Sequence, residues 1–473
     1  MKRRAIYKLL AFSFLLVCAM PTVMPKLEAS ANSAQTYWQG VDSLGTVIME
    51  EHCPIEVQHE KLVFDIPDFP SNYYGNLEQF DEYCASVSAT YTFYNPADYK
   101  VKATLAFPFG ELPYYAPYVY DEETGEKEPF PDTEKYAITV DGKEIEKELR
   151  YTLSGASSFD IYNNLPYLGD TCVDDDFYKA DLPVHIYYYE VSGISSEYKS
   201  AYASFIHNSD KSKTRILVKS AKCDSNEQGS VLGKFVSNGD VIAVYVFGQE
   251  LSYTPNWTVY ENAAQEKTIT AQIQENLSKR QTMDFEEFAL RHYFGDYSEQ
   301  STISALDWYN AVVYSMNANA TNYGAVEDYG LLRIERSFMR WYQYEIEIPA
   351  KSTIINTVTA PIYPSINVKW VPSVYGYTYL LSPAKTWSKF GKLDIEINTP
   401  YFIIDDKNGF TKTETGYAMS LNGLPEGELE FTLSSSADAK KPVSCFGCYS
   451  SVGLLTATPI TLLGAILLLK KRK

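Results

Sequence analysis

Alternation with a period of two runs through most of this chain. Val87, Ala89, Tyr91 and Phe93 fall on one side, and Ser86, Ser88, Thr90 and Thr92 on the other. Val101, Ala103, Leu105 and Phe107 repeat the pattern. Successive side chains of a strand point to opposite faces, so each stretch reads as a half-buried strand. Asn95-Pro96-Ala97-Asp98 between them is a turn cluster, and the pair reads as a hairpin. Ile138-Thr139-Val140 before Asp141-Gly142 signals a second, tight hairpin. Strands also read at 213–220, 240–248, 257–261, 267–274, 341–348, 352–360, 375–382, 392–398 and 428–434. The period changes within 282–320. Phe285, Phe288, Ala289 and His292 recur at helical spacing, as do Leu306, Tyr309, Val312 and Val313, with Asp307 in the first turn.

Short strands punctuated by Gly and Pro turns predict a mainly β fold of two β-sandwich domains, 35–281 and 326–440. A helical segment, 282–325, lies between or upon them. One internal echo supports the division. A shift of 253 residues lays Tyr91–Pro108 on Tyr344–Pro361, matching Tyr91/Tyr344, Pro96/Pro349, Ala97/Ala350, Thr104/Thr357 and Pro108/Pro361. A duplication would put the two hairpins in equivalent places of two sandwiches.

The ends carry different signals. Lys2-Arg3-Arg4, an apolar run from Leu9 to Met20 and the small residues Ala29-Ser30-Ala31 follow the order of a secretory signal peptide, read as 1–34. Val452 to Leu469 is uncharged and spans ~27 Å as a helix, close to the hydrocarbon core of a bilayer. Lys470-Lys471-Arg472-Lys473 follows it, a basic tail at 470–473 that the positive-inside rule places in the cytoplasm. The expectation is a single-pass cell-membrane protein with exterior domains, a juxtamembrane linker at 441–451 and a transmembrane helix at 452–469. This layout resembles the tripartite C-terminal sorting signals of Gram-positive surface proteins. The sortase sequence is absent, since Leu424-Pro425-Glu426-Gly427 has Gly in place of Thr and lies too far from the span. Cys445 and Cys448 are the juxtamembrane pair in its stead.

Charge narrows the partners. The whole chain carries −19; without the +4 of residues 1–34 and the +4 of the tail, the exterior part carries −27. Such a surface repels nucleic acid and anionic headgroups. The expected partners are the membrane, through the C-terminal helix, and a glycan or protein ligand. The exterior cysteines Cys53, Cys84, Cys172 and Cys223 allow three pairings, of which chain order favours Cys53–Cys84 and Cys172–Cys223, with free buried thiols as the alternative. Asp174-Asp175-Asp176 is the one acidic run offered for a metal cation, without the Asp-x-Asp-x-Asp-Gly pattern of a calcium loop. No cofactor motif is present. His52 and His59 are seven apart and fall on opposite faces of a strand, which leaves no shared metal site.

Forty tyrosines fit half-buried strand faces, or aromatic platforms for sugar rings or peptide. Trp257, Trp308, Trp341, Trp370 and Trp387 are further candidates for stacking on sugar; Trp341 stands on the polar side of its strand. No His-Glu-x-x-His, Gly-x-Ser-x-Gly or phosphate loop occurs. The leading expectation is a non-catalytic binding or structural module. An anchored hydrolase acting on glycan or peptide is the alternative, and it requires two carboxylates and tryptophans across a cleft. Tyr379-Leu380-Leu381-Ser382-Pro383-Ala384, Trp387, Phe390-Gly391-Lys392 and the Tyr91–Phe109 stretch resemble uncharacterised exported, C-terminally anchored surface proteins of Gram-positive bacteria. That resemblance implies β-sandwich modules and brings no activity and no catalytic residue.

Overall fold

The computed structural model describes residues 29–31, 33–41, 47–48, 53–110, 112–117, 119–120, 127–128, 135–153, 161–298, 301–328 and 338–441. The fold is mainly β. Most expected strands are present, as Thr214–Val218, Val241–Gly248, Phe338–Ile348, Thr353–Pro361, Val374–Leu380, Lys389–Asn398 and Leu429–Ser434; of 267–274 only the end forms, as Gln272–Glu275. Asp141 and Gly142 both take positive φ in the tight turn after Ala137–Val140.

How the strands pair departs from the expected division. The eight-stranded sheet runs Lys143–Glu144, Ala137–Val140, Thr353–Pro361, Ser86–Tyr94, Glu56–Asp65, Lys389–Asn398, Gly416–Asn422, Thr411–Lys412. A second sheet joins Glu148–Leu153, Phe338–Ile348, Lys100–Gly110, Ala34–Val41 and Val47–Ile48. A third sets Ala29–Ala31 and Ser365–Asn367 on Val374–Leu380, then Leu429–Ser434 and Phe402–Ile403. All three share one core. Strands from both sides of the expected 281 and 326 boundaries therefore interleave, and 161–328 is an insertion between Leu153 and Phe338. The reason is pairing across the molecule: Ser86–Tyr94 hydrogen-bonds Thr353–Pro361 over its whole length.

The Asn95–Asp98 segment is not a hairpin turn. Ser86–Tyr94 lies in the first sheet and Lys100–Gly110 in the second, so the chain crosses between facing sheets. Pro349–Ser352 makes the reverse crossing, and the two units lie antiparallel in both sheets. The internal echo is thus a local two-fold inside one core, not one hairpin in each of two sandwiches. Asn95, fully buried, holds the crossings together: its Nδ2 donates to the carbonyls of Tyr99, Ile348 and Pro349 at 2.7, 3.0 and 3.1 Å. Its backbone N–H reaches Ser352 O at 2.9 Å.

The inserted segment stacks a six-stranded sheet, including Pro183–Ser192, Val241–Gly248 and Thr214–Val218, on a four-stranded one formed by Lys222–Asn226, Gly229–Phe235, Tyr202–His207 and Thr258–Tyr260. Helix Ala305–Ala318 covers the opposite face of the six-stranded sheet. Ser304 caps that helix by accepting from Asp307 N at 3.0 Å. Asp307 joins it to strand Glu148–Leu153: Arg150 Nη2 and Nε donate to Asp307 Oδ1 at 2.8 and 3.0 Å. The other guanidinium donors reach Leu168 O, Gly169 O and Gln343 Oε1, so the fork is satisfied in full.

Among the described residues no helix is long and apolar enough to cross a membrane. The expected single-pass arrangement is not supported; the 452–469 run, the basic tail and Cys445 and Cys448 lie outside the described residues. At the other end, Ser33 and Ala34 are fully buried. Ser33 N donates to Tyr91 Oη at 3.0 Å, and Trp387 Nε1 donates to Ser33 O at 3.0 Å. A leader extending to residue 34 would take these groups out of the core.

Arg150 and Asp307 have side chains 2% and 0% exposed. Arg150→Met leaves a buried carboxylate without its partner and is expected to cost about 3–5 kcal/mol in urea unfolding, with Arg150→Met/Asp307→Leu recovering most of it. A loss below about 1 kcal/mol would remove the pair from its joining role.

Candidate functional site

At the end of the shared core away from the Asn95 crossings, the segment that follows strand Glu56–Asp65 folds back and buries Phe80 and Tyr83 in that core. Strands Glu56–Asp65 and Lys389–Asn398 are parallel neighbours and stop there together, with Ile66 N bonded to Asn398 O at 2.9 Å. Each meets a proline, Pro67 and Pro400, which has no N–H to continue a ladder. Each then turns an aromatic residue over that end, Phe69 and Tyr401. Strand Val374–Leu380 sends Tyr379, Tyr377 and Tyr375 outward along one face, the first two buried and the third half-buried at the rim.

Phe69 stacks between Tyr375 and Tyr401, with centroids 3.8 Å apart in both pairs and planes 5° and 20° from parallel. Asp68 fixes the assembly: its Oδ1 accepts from Phe69 N at 2.8 Å and from Tyr401 Oη at 3.0 Å. Burial and the neighbouring Asp68 carboxylate push the Tyr401 hydroxyl up to about 12. Farther along the same loop, Tyr74, whose hydroxyl accepts from Ser71 N at 2.9 Å, lies 6.2 Å from the buried ring of Tyr115, which meets Tyr114 edge-on at 5.2 Å. Tyr73 and Tyr114 stand 75% and 55% exposed. The stack presents ring edges beside the Asp68 carboxylate, apolar surface with a hydrogen-bond acceptor next to it.

The residues expected to carry chemistry lie elsewhere. Trp308 and Trp341 are buried, and their indole N–H groups donate to Ala289 O and Thr152 Oγ1. Trp387 is likewise buried, and Trp257 packs on Phe205 and Tyr189. Trp341 does face away from Tyr342, but residues 161–168 cover that face. Asp174 pairs with Lys179 on the surface. Asp175 is a loop staple: Oδ1 accepts from Phe177 N and Tyr178 N at 2.8 and 2.7 Å, and Oδ2 from Asn317 Nδ2 at 2.6 Å. Asp176 is exposed beside it. Among the described residues no three His, Cys, Asp or Glu side chains are grouped to hold a metal.

Neither expected disulfide forms, and Cys53, Cys84, Cys172 and Cys223 are free. Cys53 precedes one end of strand Glu56–Asp65 and Cys84 lies beyond the other, roughly 30 Å apart, where a disulfide needs Cα atoms within about 7 Å. Cys172 lies on the helix side of the six-stranded sheet and Cys223 in the sheet packed on its other face.

Two histidines have definite roles. His59 Nε2 lies 2.8 Å from Asp394 Oδ2 on the outer face of the eight-stranded sheet, where Lys392 and Ser420 also hold that carboxylate, down at about 2. His207 is fully buried; Tyr253 Oη lies 2.6 Å from its Nδ1, and burial pushes it down to about 4.

No protein-family model matches this chain, and no curated protein does. Among solved structures it is similar to the crystal structure of a candidate nutrient-binding protein from Legionella pneumophila, with 9% identity, a TM-score of 0.29, and coverage of 86% of this chain and 72% of that one. Likeness at that level says nothing of a ligand.

Sequence reasoning missed the Phe69–Tyr375–Tyr401 stack. The available signal was an aromatic residue just after a strand-ending proline, in Pro67-Asp68-Phe69 and Pro400-Tyr401.

Two measurements check the titrating groups. Between pH 6.5 and 4 the unfolded chain protonates His207 and the folded chain does not. Stability is therefore full above that window and falls with pH inside it, by up to roughly 1.4 kcal/mol per unit. His207→Gln is expected to flatten that slope in denaturant melts, and an unchanged slope would exclude the assignment. Burial holds the Cys53 thiol up at about 12, so a thiol reagent should label exposed Cys84 in the folded chain and Cys53 only after denaturation.

Proposed function

We propose that this chain is an exported, non-catalytic binding protein whose ligand meets the aromatic stack at the end of the core away from Asn95. The observation that carries the reading is the Tyr375–Phe69–Tyr401 stack, fixed by Asp68, with Tyr73 exposed on the same loop as Phe69. Three rings stacked face to face at 3.8 Å hold one another rigid, and a ligand resting on their outer edges would cost little further side-chain freedom. We read the framework beneath it as two β-sandwiches, one inserted into the other. The basic and apolar start of the chain supports export.

The hydrolase reading has lost support. It required two carboxylates and tryptophans across a cleft, and Trp308, Trp341 and Trp387 are core residues.

The test is capture of ligands from glycan and peptide arrays by the full chain, beside Tyr73→Ser/Tyr114→Ser and Tyr401→Ala. Binding is expected to fall at least about tenfold in both variants with the melting temperature of the first unchanged. Undiminished binding in both, or turnover of a captured ligand, would overturn the proposal.

A further inference from the structure

A buried donor and a buried acceptor near Tyr363 are left without partners. Arg340, on strand Phe338–Ile348, holds its guanidinium over the Phe109 ring, 4.8 Å from the centroid, and its Nε donates to Gly110 O. Its Nη2 is buried and has no hydrogen-bond partner among the described residues. Asp81 closes the helix Leu77–Asp81, and its Oδ1 is likewise buried without a hydrogen bond. Lys135 Nζ stands 3.9 Å from that oxygen, beyond hydrogen-bond reach, and donates instead to the carbonyls of Asp81 and Tyr83. A buried polar atom without a partner costs its whole desolvation, and a charged one costs more. Two such atoms of opposite kind in one region call for a common explanation.

Packing brings both groups to Tyr363. Its ring stacks on Phe80, the neighbour of Asp81, at 5.2 Å and lies 5.8 Å from Tyr83. Phe109, beneath Arg340, meets Tyr136 at 4.5 Å, and Tyr136 follows Lys135 in the chain. Burial, and after it Tyr136, keeps the Tyr363 hydroxyl protonated well above the ordinary phenol range. The Arg340 and Asp81 charges reach the same hydroxyl with opposite effects. The Asp81 side chain is 41% exposed, so the region opens to solvent although its Oδ1 faces inward.

We propose that Arg340, Asp81 and Tyr363 form a second ligand site, separate from the Phe69 stack, and that it takes an organic acid bearing an amino or hydroxyl donor beside its carboxylate. A guanidinium edge matches a carboxylate in charge and in shape, and the Tyr363 hydroxyl adds a neutral donor. The ligand's own N–H or O–H donates to Asp81 Oδ1, so both orphaned atoms are satisfied by one molecule. Charge sets the valence. Arg340 and Lys135 against Asp81 leave one positive charge, which a single carboxylate neutralises. A phosphate or sulfate dianion exceeds that charge and sets its excess against Asp81. A plain acid leaves Asp81 Oδ1 unfilled, and an amine without a carboxylate leaves Arg340 unpaired.

Thermal shift and titration calorimetry on the full chain decide this. The probes are the common amino acids, lactate and phenyllactate, the plain acids propionate and phenylpropionate, phenethylamine, and inorganic phosphate. At least one amino or hydroxy acid is expected to bind and raise the melting temperature, about tenfold or more tighter than the plain acid of the same skeleton. Arg340→Met should abolish binding, and Arg340→Lys, which keeps the charge and loses the fork, should weaken it about tenfold. Asp81→Ala should remove the preference over the plain acid. Tyr401→Ala should change none of this, which separates the site from the Phe69 stack. Without ligand, Arg340→Met should melt at the same temperature or higher, because it removes an unpartnered buried charge. A marked fall instead would make Arg340 a structural residue and overturn the proposal. So would failure of every amino and hydroxy acid to bind, or binding that survives both Arg340 variants. Tighter binding of phosphate or phenethylamine, lost in Arg340→Met, would overturn the ligand class.

Discussion

The structure depends on one constraint: the chain crosses twice between facing sheets at one end of its core, and both crossings are tied to Asn95. A buried amide that gives its N–H groups to carbonyls of both crossings, at 2.7 to 3.1 Å, fixes where each sheet begins. Lys351 adds its backbone N–H to Ala97 O and its ammonium to Asp98, again joining one crossing to the other. The two strand pairs that flank that seam, one in each sheet, are both antiparallel. A core sewn at one end must be closed differently at the other, because the strands there diverge into loops. Aromatic rings supply that closure.

The same layout explains the position of the inserted segment. It leaves after strand Glu148–Leu153 and returns before strand Phe338–Ile348, which are direct neighbours in one sheet. Entry and exit therefore sit side by side, and the insertion can build cores of its own without disturbing the pairing around it. Arg150 and Asp307 fasten it. A fully desolvated ion pair contributes little net stability but penalises any arrangement that separates it, so its use here is to fix the helix against the sheet.

Tyrosine serves both halves of the molecule. Tyr91, Tyr344 and Tyr379 are wholly buried, and their hydroxyls need partners inside the core. Tyr344 donates to Asn356 Oδ1 at 2.9 Å and lies 2.8 Å from Ser33 Oγ. At the end away from Asn95 the same residue type emerges half-buried, and there its hydroxyl finds local partners, Asp68 Oδ1 for Tyr401 and Ser71 N for Tyr74. The passage from Tyr379 to Tyr375 along a single strand carries the interior into the surface site.

The sequence by itself determined the strands, because alternation is a local property: Val87, Ala89, Tyr91 and Phe93 must share a face whatever they face. It determined the helix at Ala305–Ala318 and the Asp141-Gly142 turn for the same reason. It also held the echo between Tyr91–Pro108 and Tyr344–Pro361, though not its meaning. Only the tertiary structure decided that the Asn95 turn crosses between sheets, that Cys53 and Cys84 lie at opposite ends of a strand, and that the five-tryptophan surface is mostly core. Pairing between residues hundreds of positions apart leaves no periodic mark. The aromatic cluster belongs with these: Phe69, Tyr375 and Tyr401 meet because two parallel strands end at prolines at the end of the core away from Asn95.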